Sequence, residues 1–179
     1  MITRLHAGAD ATLRMLENIS AAIAGCAALI AMVLVSADAV LRHLFAHPLT
    51  FQLYLTENYL LVAMILLALS WGYRTGGLVR ITGLVEKLPE PLRPVVSRLG
   101  LAASALLMGY LAWLGGLAFI DAFRSSEVEM GVVDWPVAWS KFFVPAGTGL
   151  LAARLFLDAL AATPFRDTGH ESARAEVLK

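Results

Sequence analysis

Apolar residues gather into four runs of roughly 20, separated by short stretches that hold most of the charge. A hydrocarbon core about 30 Å thick takes about 20 helical residues to cross. Each run therefore predicts a transmembrane helix, over residues 19–40, 55–73, 99–120 and 142–160. Helices are the only reading, because an open strand would leave its backbone polar groups unpaired in lipid. The first run, ISAAIAGCAALIAMVLVSADAV, is longer than the roughly 7–15 apolar residues of a secretory signal core and is expected to be retained.

The intervening stretches carry patterns of their own. Between the second and third runs, Leu78, Ile81, Leu84, Val85 and Leu88 recur at helical spacing, while Arg80, Glu86 and Lys87 fall elsewhere on the wheel. That pattern predicts an amphipathic helix lying in the interface, ended by Pro89, Pro91 and Pro94. Before the first run, Ile2, Leu5, Leu13 and Leu16 alternate with Arg4, Asp10, Arg14 and Glu17. This weakly amphipathic stretch either extends the first helix or lies on the inner surface. Residues 164–179 are polar and charged and are expected to form a disordered tail. The fold class is thus an all-α integral membrane protein. It comprises one four-helix domain over residues 1–163, an interfacial helix between the second and third spans, and a polar cytoplasmic tail.

Composition supports the membrane reading: 59% of residues are apolar and 16% charged, against about 45–50% apolar in soluble chains. Fourteen basic and 14 acidic side chains cancel, so no overall basic field exists to hold nucleic acid. Cys26 is the single cysteine, cannot form an internal disulfide, and reads as a small packing residue. His6, His43, His47 and His170 all lie outside the apolar centres, which argues against haem ligation on the spans. His43 and His47, four apart, lack a third metal ligand nearby. No cofactor or metal is expected.

Charge orients the helices, since inner loops carry the Lys/Arg excess. Arg74, Arg80, Lys87, Arg93 and Arg98 cluster between the second and third spans, whereas the other two connections offer only Arg42, Arg124 and Lys141. Both termini are therefore expected in the cytoplasm. The third connection also carries Glu127, Glu129, Asp134 and Trp135, an acidic outer loop that could help dock a partner outside the membrane.

Ionisable groups near span ends come with neighbours one helical turn away: Asp38 with Arg42, Asp121 with Arg124, Asp158 with Arg154. Arg42 is expected to pair with Glu57 at the start of the second span, because the short loop brings these ends together, with Asp38 or water as the alternative; Arg74 lies just past that span's end. Arg42, Glu57, Asp38 and Arg74 are the candidates for structural or assembly roles. Small residues four apart, such as Ala24 with Ala28 and Gly149 with Ala153, allow close approach between helices. An autonomous transporter would need an acid deep in a span, and a membrane enzyme would need a constellation of His, Asp, Glu or Cys at the surface. The chain offers neither.

The loops then supply a resemblance. Arg42-His43-Leu44-Phe45-Ala46-His47-Pro48-Leu49-Thr50-Phe51, followed by Glu57, resembles the segment joining the first two helices of the small membrane subunit of tripartite ATP-independent periplasmic (TRAP) transporters, the DctQ-like family. Arg74-Thr75-Gly76-Gly77-Leu78-Val79-Arg80-Ile81, ending in Leu88-Pro89, is similar to that family's segment after the second helix. Trp135-Pro136-Val137-Ala138-Trp139 through Val144-Pro145-Ala146-Gly147 is similar to its approach to the fourth helix. The three occur in family order on a four-span frame, over residues 19–160. Leu78, Thr82 and Phe51 stand where the family often has His, Asp and Trp.

The resemblance implies a small auxiliary permease subunit in the bacterial inner membrane, not an enzyme. Its partners would be a large DctM-like permease and a periplasmic solute-binding protein. Together they would take up an organic acid on an ion gradient, with this chain bracing the large subunit.

Overall fold

The structure, a computed structural model, describes residues 2–45, 51–77, 92–129 and 135–160. Helix α1 (Ile2–Phe45) is followed by α2 (Gln52–Leu55), a π-helical turn (Thr56–Leu60) and α3 (Leu61–Arg74). Then come α4 (Arg93–Arg124), strands β1 (Val128–Glu129) and β2 (Trp135–Pro136), and α5 (Val137–Leu160). Four helices among the described residues are long and apolar enough to cross a membrane: Gly8–Phe45, Gln52–Arg74, Val95–Arg124 and Val137–Leu160. Each expected run falls inside one of them, and α2, the π turn and α3 together make the second. The expected interfacial helix (Leu78, Ile81, Leu84, Val85, Leu88) lies outside the described residues, as do Asp134 and the tail.

Helix α1 continues from its span toward the N-terminus instead of breaking at residue 19. Its 44 residues reach about 66 Å at 1.5 Å per residue, about twice a bilayer core. No proline interrupts it and alanine is frequent, so nothing in the sequence stops the helix. One stripe faces the protein: Leu13, Glu17, Ser20, Ala24, Ala27 and Asp38 are all buried. Steps of three and four, then one of eleven from Ala27 to Asp38, keep a single seam on the neighbouring helices. Cys26 falls off that seam and is exposed, so it is not the packing residue that its size suggested.

The main packings are α1 on α3, α3 on α5 and α5 on α4. Small side chains make these approaches close: Ala24 and Ala27 of α1 meet Ala63 and Leu67 of α3. Ala105 of α4 meets Leu151 and Leu155 of α5. In lipid no hydrophobic force drives helices together, so fit between backbones matters most. Gly147 is the clearest case, since a Cβ there would fall on the backbone carbonyl of Leu66. At Gly115 a Cβ would come within 2.8 Å of Val144 Cγ1.

Helix α5 begins five residues before the expected start at 142, which moves Pro145 from the first turn of the helix into its interior. Proline lacks the N–H that would bond the Lys141 carbonyl, while the Thr148 hydroxyl donates to the Val144 carbonyl at 2.6 Å. Helix α4 has a proline in its first turn, where the missing N–H costs nothing. Its flanks are apolar all round, and Leu106 and Trp113 remain 76% and 67% exposed, as expected of a helix facing lipid. Past α4, the antiparallel ladder pairs Val128 with Pro136 and Glu129 with Trp135.

Candidate functional site: the two polar ends of the helices

At the end of the bundle that holds the first turns of α1, called inner for the side that the Lys/Arg distribution predicts, with the opposite end called outer, helical spacing aligns Asp10, Arg14 and Glu17 on α1, Ser70 and Arg74 on α3, and Arg154 and Asp158 on α5. Packing brings the three sets together. Glu17 is fully buried, and its Oε1 accepts from Ser70 Oγ at 2.8 Å. Its Oε2 is 3.0 Å from Arg74 Nη1. Arg154 reaches Asp10 Oδ1 at 2.7 Å, Asp158 Oδ1 at 3.6 Å and Glu17 Oε1 at 4.0 Å. Arg74 also donates to Asn18 Oδ1, and Arg14 pairs with Asp10 at 2.7 Å.

Three carboxylates thus face three guanidinium groups across three helices. Glu17 Oε2 and Arg154 Nε are buried without a hydrogen-bond partner, so the centre is held by charge more than by bonding geometry. Arg74 was an expected candidate, but Glu17, Ser70, Asp10 and Arg154 as a unit were not. The available signal was Arg154, a cation inside an apolar run. Its neighbour Asp158 explains it only in part.

At the outer end, Asp38 is buried and its Oδ2 lies 2.6 Å from Arg42 Nη2, whose side chain is exposed. The expected pair, Arg42 with Glu57, is not formed among the described residues. A buried carboxylate one turn away requires a counter-ion more than an exposed one does. Asp121 and Arg124 likewise make no ion pair with each other among the described residues. Glu17 and Asp38 share the buried stripe of α1 and are 21 positions apart. At 1.5 Å per residue that is about 31 Å, the thickness of a bilayer core. The buried acids of α1 are thus one bilayer core apart along the helix.

Above Asp38 the outer surface is aromatic. Trp135 packs against Tyr54 and Tyr59, with centroids 6.4 and 5.7 Å away. The Tyr59 hydroxyl donates to the Pro136 carbonyl at 2.6 Å, and Ser140 Oγ donates to the Asn58 carbonyl. Tyr and Trp suit this level because each has an apolar ring and a polar edge. Glu127 pairs with Lys141 at 2.9 Å, bracing the ladder onto the start of α5. Glu57 is exposed within the π turn. Among the described residues no group of three or more His, Cys, Asp or Glu side chains could hold a metal.

Four apolar helices, charged at both ends and uncharged at mid-span, define a multi-pass membrane protein with no reaction centre among the described residues. A family model described as "Tripartite ATP-independent periplasmic transporters, DctQ component" matches residues 31–164. That is most of the chain, and the chain belongs to this family: it is the small membrane component of a TRAP transporter, not an enzyme. Membership implies a tripartite complex with a DctM component and a periplasmic binding protein. No curated protein matches the chain. The match begins after Asp10, Arg14 and Glu17, so the α1 half of the inner charge cluster lies beyond it.

Proposed function

We propose that this chain braces the large permease subunit for ion-gradient-driven uptake of an organic acid delivered by the binding protein. The observation that carries this reading is the placement of charge. Replacing the hydration of an anion at mid-membrane takes polar or unwound backbone groups. The centres of these spans hold no ionisable side chain, and the charges at the inner end, Glu17 with Arg74 and Asp10 with Arg154, are spent on joining helices. Such helices support a carrier better than they act as one.

The inner charge cluster and both termini lie on the cytoplasmic side, consistent with the Lys/Arg-rich connection between the second and third spans. The outer ladder, with Glu127, Glu129 and Trp135, then faces the periplasm, where with Asp134 it helps to receive the binding protein. Reporter fusions test the topology, and a periplasmic signal after Arg93 would overturn it. Reconstitution tests the role. Liposomes with this chain alone should show no uptake, while adding the large subunit, the loaded binding protein and an ion gradient should start it. Flux through the chain alone would replace bracing with autonomous transport.

A further inference from the structure

The second span is one helix interrupted near its outer end. Its α2 segment and α3 are joined through the π turn Thr56–Leu60, where the Leu61 N–H reaches back five residues to the Thr56 carbonyl. A π turn takes in an extra residue, is rare, and recurs at functional sites. Residues 52–60 contain no glycine or proline, so the segment's own backbone does not call for the departure. Its neighbours do. The Asn58 carbonyl accepts from Ser140 Oγ, and the Tyr59 hydroxyl donates to the Pro136 carbonyl at 2.6 Å. Both partners belong to one unit, the ladder with the first turn of α5. That unit is closed by the Val137 N–H on the Glu127 carbonyl at 3.0 Å and by Lys141 on the Glu127 carboxylate at 2.9 Å. Within the span, Asn58 Nδ2 donates to the Tyr54 carbonyl at 3.3 Å, a side-chain donor placed where the helical ladder is widened.

Packing on the two sides of the turn is unequal. No residue of the π turn is buried, and in α2 only Gln52 is. Past the turn, Ala63 and Leu67 are packed against Ala24 and Ala27, and the Leu66 backbone lies against Gly147. Closing the turn to α geometry therefore leaves α3 in place and moves the segment ahead of it. Each residue of that segment advances by one helical position, about 100° and 1.5 Å. Leu53 then takes the place that Gln52 holds.

We infer that the π turn is a register switch latched by the outer ladder. With Pro136 and Ser140 in place, the second span keeps its π register. When they are drawn away, its outer segment turns by one residue and the span becomes a continuous α-helix. A displacement of the ladder is thereby converted into a rotation of Gln52–Leu55, while the helices below the turn stay packed. The switch is internal to this chain and goes beyond the bracing role.

The test uses the full chain in lipid bilayers, with the exposed Cys26 replaced by alanine and one nitroxide label on a cysteine introduced at Gln52, Leu53 or Ile65. With the latch intact, a label at Leu53, 62% exposed, should be mobile and one at Gln52, 6% exposed, should be held. Combining Ser140→Ala with Tyr59→Phe should exchange the two, with most of the Leu53 signal becoming immobile and the Gln52 signal freed. The Ile65 label, past the turn, should keep its spectrum and so report that the fold is intact. Each single variant should shift a smaller share, and Ser140→Thr, which keeps a hydroxyl, should preserve the π register. Deletion of Glu57 removes the extra residue, so the turn becomes α without moving either flank. In that background the double variant should change neither label. Unaltered Gln52 and Leu53 spectra in the double variant would overturn the inference. So would both labels becoming mobile, which is fraying and not rotation, a changed Ile65 spectrum, or an exchange that persists after the deletion.

Discussion

The inner and outer ends of this protein solve the same problem differently. At the inner end, charges interlock three helices: one buried carboxylate, Glu17, faces arginines from both α3 and α5. At the outer end, charge is neutralised within α1 by Asp38 and Arg42, or at the surface by Lys141 and Glu127. There the helices are joined by aromatic rings and hydroxyl-to-carbonyl bonds instead. A cross-helix buried pair fixes relative position, because separating the partners strands charge in a poor solvent. Stacked rings and surface pairs tolerate adjustment. The inner end is therefore the rigid joint of the subunit and the outer end the adaptable one.

The largest effect should come from Glu17→Ala, which leaves Arg74 and Arg154 facing each other without their shared counter-ion. A loss of about 3–5 kcal/mol is expected, read as a fall in thermal stability of the purified subunit pair. A loss no greater than that of an outer-surface variant would erase the contrast between the ends. Replacing Glu17, Arg74 and Arg154 together by apolar residues of similar volume should recover much of that stability.

Ser70→Ala removes a buried bond to a charged acceptor, 2.8 Å long, and should cost about 1.5–3 kcal/mol. Tyr59→Phe keeps the ring stack and deletes only the bond to the Pro136 carbonyl. About 0.5–1.5 kcal/mol is expected, with faster proteolysis of the outer loop as a second readout. The smallest change is expected from Lys141→Ala. Its pair with Glu127 is 37% and 52% exposed, so the effect should be about 0.2–1 kcal/mol and should fade as salt is raised. A salt-insensitive loss at Lys141 would mean that the outer end is as tightly joined as the inner one.

The reading from sequence succeeded where the physics is local. Four apolar runs have only one way to satisfy their backbones in lipid, and each lies within a helix of the structure. Helical spacing puts Asp38 beside Arg42 and Arg154 beside Asp158, and both pairs form, whereas Asp121 and Arg124, placed together by the same rule, make no ion pair with each other among the described residues. Between Asp38 and Glu57 as partners for Arg42, spacing could not choose; burial of Asp38 did. Glu17 shows the other limit. In sequence it is one more polar residue ahead of an apolar run, and nothing local marks it as buried.

Hydrophobic length and helix period thus settle the class of protein and the number of spans, and they name the candidate pairs along one helix, because each depends on residues close in the chain. The inner cluster depends on where α1, α3 and α5 cross. Asp10 and Arg154 meet across 144 positions and Glu17 and Ser70 across 53. Their meeting follows from close contacts such as Gly147 against the Leu66 backbone and Ala24 and Ala27 against Ala63. Those contacts set which helix faces turn inward, and with them whether a carboxylate near the membrane surface is solvated or sealed between two arginines.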